Sequence, residues 1–257
     1  MKRSLLDRKV FLSLALGPAI IALGVNAYSQ KNNDSTAETN AVKGAFMEPV
    51  AQNIRGWTIY VDPLLLPGGA ENKNGAKALS MLENHLERIE ILVPAAPLAE
   101  LKKVGIQIEH AHPELDNMQY HPGKEWLIGK KYDPRLVKRV HLPVAASLYS
   151  RSQMLKHPAV ILHELCHAYH DQVLSFEHPG IIDAYDNAIK AGFLEEVMTH
   201  NGRITKAYAA TNHKEYFAEI TEAFLYRNDF YPFVNGELKK TDPVGYALLE
   251  EIWGKTE

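Results

Sequence analysis

Residues 158–174 read PAVILHELCHAYHDQVL and place His163 and His167 four positions apart. On a helix this spacing leaves the two side chains about 40° apart on one face, so both imidazoles can reach a single metal ion. Glu164 follows the first histidine and points toward the same ion from a neighbouring direction. It is placed to take a proton from a water on that ion without being a ligand. Two nitrogens, one oxygen and an open position form the hydrolytic arrangement of zinc, so one Zn2+ per chain is expected. The flanking Val160-Ile161-Leu162 argues that one side of this helix is buried, and a buried histidine pair needs a partner.

The third ligand must come from elsewhere. Position 173, six residues after His167, is Val, and His170 lies to one side, where a structural or exposed role is expected. Glu195 and Glu196 could be reached from a following helix. The stronger source is 208–226, YAATNHKEYFAEITEAFLY, where Glu215, Glu219 and Glu222 form one helical stripe. The stripe could equally be a solvated face, and Asn212 with Glu215 also fits a capping box. Asp171, four residues after His167, either bonds a ligand histidine or faces water. Cys166 reads as a small buried hydrophobe. As the chain's one cysteine it excludes an intramolecular disulfide or a Cys-rich zinc module.

The elements that must position these residues form a mixed pattern. Trp57–Val61 alternates as a strand, 76–91 carries helical spacing (Ala78, Leu82, Leu86, Ile89), and 98–104 reads as a shorter helix. Residues 105–109 and 137–144 read as strands. The stretch 110–123, with His110, His112 and His121, reads as irregular loop surface. From Pro158, placed as a first helical position, the chain is mainly helical. The 257 residues carry a formal charge of −3 with 46% hydrophobic residues, ordinary globular values that exclude disorder and give no reason for a nucleic-acid partner.

The start of the chain reads as a secretory signal peptide over residues 1–29. A basic segment with Lys2, Arg3, Arg8 and Lys9 precedes the apolar run Val10–Val25 and the small residues Ala27 and Ser29. The run is short for a spanning helix and is broken by Gly17-Pro18, so a stable membrane span after cleavage is not expected. Residues 30–52 read as a flexible linker and 53–257 as one domain. A secreted or periplasmic location follows.

HELCHAYHDQ with YAATNHKEYFAE resembles the catalytic domain shared by anthrax lethal factor and the clostridial proline-proline endopeptidases, over roughly residues 158–226. The stretch through Asn228–Phe233 is also similar to secreted bacterial proteins of unassigned role, and more distantly to the Mlc titration factor. The first resemblance implies an α+β, zincin-like fold: a small twisted sheet, an active-site helix and a mainly helical C-terminal half. It implies Glu215 as third zinc ligand, Glu219 as a carboxylate supporting a ligand histidine, and Tyr208 as the hydroxyl that supports the oxyanion. The implied function is a secreted zinc endopeptidase acting on a peptide or protein, with Glu164 as general base. Substrate would lie along an edge strand, for which 137–144 is the candidate. Two other readings stay open: a zinc-stabilised binding protein without catalysis, and an amidase acting on cell-wall peptides. Residues 1–150 carry no motif that specifies a substrate or an oligomeric state.

Overall fold

A hairpin opens the structure, a computed structural model that describes residues 46–255. Strands β1 (Val50–Ile54) and β2 (Trp57–Val61) pair antiparallel through the two-residue loop Arg55-Gly56. Both loop residues have positive φ, 51° and 88°, the backbone that matches the twist of the flanking strands. The last residues of the segment read as linker therefore form an edge strand. Its solvent-facing, polar composition had hidden it. The signal-peptide reading and most of the linker lie outside the described residues.

The sheet continues through β3 (Ile106–Ile108) and β5 (Val140–Leu142), both parallel to the strand before them in the sheet, and ends on β4 (Gln119–Tyr120). Its order is β1-β2-β3-β5-β4, with antiparallel pairs at both edges. Strand β5 is thus interior, and the edge beside the candidate site is β4. The expected edge at 137–144 is corrected accordingly. Val140, His141 and Leu142 are all fully buried, as an interior strand covered on both faces requires.

Helix α1 (Asn72–Leu92) buries Ala78, Leu82, Leu86 and Ile89 along one stripe. Each fully buried leucine contributes about 1.5–3 kcal/mol relative to exposure. The helix α2 (Ala95–Leu101), α3 (Lys124–Lys130) and α4 (Arg151–Lys156) are short connectors. Helix α5 (Val160–Tyr169) runs through the interior, and a single wider turn, 170–174, ends it. Val160 begins the helix, so Pro158 sits just ahead of it and not at its first position.

The C-terminal half is helical: α6 (Pro179–Ala191), α7 (His213–Leu225), α8 (Asn235–Thr241) and α9 (Pro243–Trp253), with the two-stranded hairpin β6 (Val197–Met198) and β7 (Ile204–Thr205) inserted. Helix α7 packs on α5 with its Glu215, Glu219 and Glu222 side. Tyr216, Phe217 and Phe224 enter the core on its other sides. Trp253 of α9 locks this arrangement. Its ring stacks on Phe217 at 6.0 Å, and its Nε1 donates to Thr221 Oγ1 at 3.1 Å. Asp242 caps α9 through Gly245 N and accepts from Tyr216 Oη at 2.5 Å. Among the described residues no helix is long and apolar enough to cross a membrane. The architecture is a mixed α+β fold with a small sheet.

Candidate metal centre

Three donor atoms converge where α5 meets α7. His163 Nε2 and His167 Nε2 lie 3.1 Å apart, and Glu215 Oε2 is 3.2 Å from each. Ligands about 2.0–2.1 Å from a tetrahedral ion stand roughly 3.3 Å from one another, so this donor set fits a zinc-sized ion. A histidine pair with a carboxylate is also the right chemistry for such an ion. The i, i+4 register brings the two imidazoles together on α5. The oxygen comes from a residue 52 positions after His163.

Asn212 makes this geometry reliable at the α7 end. Its Oδ1 accepts from Lys214 N and Glu215 N, which caps the helix. The capping half of the expected box is real. The Glu215 carboxylate does not fold back onto the cap and instead faces the histidines. Glu215 is held well below the usual carboxylate range: burial works against this, and the bonds to His163 and His167 overcome it.

The other nitrogen of His163 has its own partner. Nδ1 lies 2.6 Å from Glu222 Oε1, whereas Glu219 Oε1 is 3.9 Å away. Glu222 therefore orients His163, the place the resemblance gave to Glu219. His163, Glu219 and Glu222 form a second grouping with metal-compatible spacing, but it is fully enclosed and shares His163 with the first. Burial, then the adjacent Glu222 carboxylate, pushes Glu219 well above the usual carboxylate range. The bonds to Glu215 and Glu222 outweigh burial at His163 and raise its imidazole well above the ordinary value. A metal entering here displaces that proton.

Glu164 lies beside the three donors, and its Oε2 accepts the Tyr120 amide at 2.8 Å. Burial raises its pKa, against the nearby histidines and this amide. The edge strand β4 thus aims the carboxylate. Tyr120 Oη in turn donates to Asp171 Oδ2 at 2.6 Å, and Lys138 Nζ bonds the same oxygen. Asp171 therefore braces β4 and neither touches a ligand histidine nor stands free in water. Tyr208 is half-exposed, with its ring 6.5 Å from that of His163. Burial and Glu215 raise its hydroxyl pKa, so it stays a donor.

These groups share a cleft of about 530 Å³ lined by His163, Glu164, His167, Tyr208 and Glu215, with Asn117–Tyr120 along one wall. Other candidates fall elsewhere. Glu195 pairs with Lys206 on the surface, and Cys166 is buried with its thiol pKa pushed up. His170 is fully buried among Phe176, His213 and Phe217, and among the described residues neither ring nitrogen has a hydrogen-bond partner. His121 is not loop surface: it is buried, its Nε2 is 3.2 Å from His141 Nδ1, and His141 Nε2 is 3.1 Å from Glu109 Oε1. This chain of polar contacts pins β4 to β5. Only the histidine content of 110–123 hinted at it, because His141 comes from β5 and Glu109 from just after β3, far apart in sequence.

Comparison with family models, with curated proteins and with solved structures finds no match to this chain.

Proposed function

We propose that this chain is an exported zinc-dependent endopeptidase of the zincin type. The observation that carries the reading is the convergence of His163, His167 and Glu215 in an open cleft with Glu164 at their side. A site that only stabilised the fold would need no carboxylate held ready beside the ligands.

His163, His167 and Glu215 would hold the ion, which when bound supplies Lewis acidity and makes water acidic near neutral pH. The chain's own residues do the rest. An extended peptide lies against Asn117–Gln119 at the free side of β4. Glu164 takes a proton from water as its oxygen adds to the scissile carbonyl carbon. It then gives that proton to the departing nitrogen as the C–N bond breaks. The raised pKa of Glu164 suits both transfers. Tyr208 donates a hydrogen bond to the oxygen on which charge develops.

Incubating the chain from Gln30 onward with a denatured protein, with and without chelator, tests the reading. Zinc-restored cleavage by the wild type, with none by a zinc-loaded Glu164→Gln variant, is the expected result. Wild-type rates from that variant would overturn it. Export is checked by N-terminal sequencing of protein from the medium or periplasm, which should begin at Tyr28 or Gln30.

A further inference from the structure

Beside the metal cleft lies a second recess of about 470 Å³, and the two share Lys156, Tyr208 and Phe230. Its wall carries cations. Lys156 stands on one side at the end of α4, Arg203 lies in the β6–β7 turn with His200, and Lys206 follows β7.

The hairpin holds this wall in place. Asn201 Oδ1 accepts from Thr199 Oγ1 and Arg203 N, and His200 N donates to the Asp229 carbonyl at 2.7 Å. Lys206 is paired with Glu195, but among the described residues Lys156 and Arg203 form no ion pair. The one acid lining the recess is Asp229, which is buried, and burial followed by the nearby Glu222 raises its pKa to about 7. Lys156 and Arg203 thus outnumber the single acid among the lining residues, on a chain whose formal charge is −3.

The metal cleft is lined differently. Its carboxylates, Glu164 and Glu215, stand beside the histidines, and the β4 wall of Asn117, Met118 and Gln119 carries no charge. An acidic side chain of a bound peptide finds no cation on the β4 wall. Among the described residues, the lysine and arginine side chains lining the two recesses are Lys156, Arg203 and Lys206, on the side of Tyr208 away from β4.

We propose that this recess is a specificity subsite that receives a carboxylate of the substrate, an Asp or Glu side chain close to the scissile bond. The proposal rests on the peptidase reading for the word substrate, but the carboxylate preference belongs to the recess and can be measured without turnover. With two exposed cations lining the recess, an acidic side chain should be favoured over an amide one by about fivefold, and less at high salt.

Two pools of fluorescein-labelled random octapeptides, identical except for a fixed central Glu or Gln, test this by fluorescence polarisation. They are titrated onto the zinc-loaded Glu164→Gln chain, with a third pool bearing a C-terminal amide to separate side-chain from terminal carboxylate. The Glu pool should bind about fivefold more tightly, and Arg203→Glu or a Lys156→Ala/Arg203→Ala double variant should abolish the difference. Circular dichroism confirms that each variant folds. Equal binding of the Glu and Gln pools, a preference that survives both variants, or a preference that depends only on the terminal carboxylate overturns the proposal. The same pools given to the wild type report on the other reading. A Glu preference in binding without any cleavage would sink the peptidase and leave the recess, whereas cleavage without the preference would do the reverse.

Discussion

Glu222 Oε1 stands 2.6 Å from His163 Nδ1, so the imidazole is held on one side by a buried carboxylate while its other nitrogen faces His167 and Glu215. This contact fixes both the ring orientation and which nitrogen is offered to a metal. Glu222→Gln should weaken zinc binding about 10- to 100-fold, measured by competition with a chromogenic chelator. Glu219→Gln should have a smaller effect, because Glu219 lies 3.9 Å from the same nitrogen, beyond hydrogen-bond reach. The reverse ranking would return the supporting role to Glu219.

On the proposed mechanism Tyr208→Phe should lower kcat about 10- to 100-fold while KM and zinc content change little, since the hydroxyl would act on charge that exists only in the transition state. Zinc analysis beside steady-state kinetics separates the cases. A matching loss of zinc would make Tyr208 part of the scaffold.

Sequence spacing reached the centre of this site but not its supports. His163 and His167 declare themselves because one helix carries both, and the Glu215 stripe is equally local. The supports are non-local. Tyr120 reaches Glu164 across 44 positions from a two-residue strand too short to leave a pattern. Glu222 shares residue type and helical face with Glu219, so spacing could not say which of them meets His163. Helix α1 and strand β2 were legible because their apolar period is sustained. Strand β1 was not, since as an edge strand it buries little.

Gly75 offers a test of packing. It sits in the first turns of α1, where alanine ordinarily gains about 1 kcal/mol. A Cβ at this position would overlap the Leu65 carbonyl oxygen. Gly75→Ala should therefore destabilise the fold, by about 1–3 kcal/mol in urea denaturation. A neutral or stabilising result would mean that the 63–65 turn yields freely.

His85, buried in α1, has its pKa lowered to about 4 by burial and then by Arg88. The folded state keeps it neutral while the unfolded chain protonates near pH 6.5. Its contribution is thus intact above pH 6.5 and is lost as pH falls from there toward 4. Thermal denaturation of the wild type and His85→Leu should diverge over that window by on the order of 1–3 kcal/mol, the wild type losing more. Parallel acid limbs would show that His85 is charged in the fold.

The placement of the donors on α5 and α7 also sets an order of assembly. An unfolded chain offers a local histidine pair and nothing more, because the oxygen arrives only when a segment 52 positions away docks. Tight capture belongs to the folded state alone, and each tenfold of free metal above its dissociation constant adds about 1.4 kcal/mol to stability. An ion held there would be a clasp fastened last. A polypeptide threaded unfolded across a membrane could not bring it along, so the compartment in which the chain folds decides which metal it acquires.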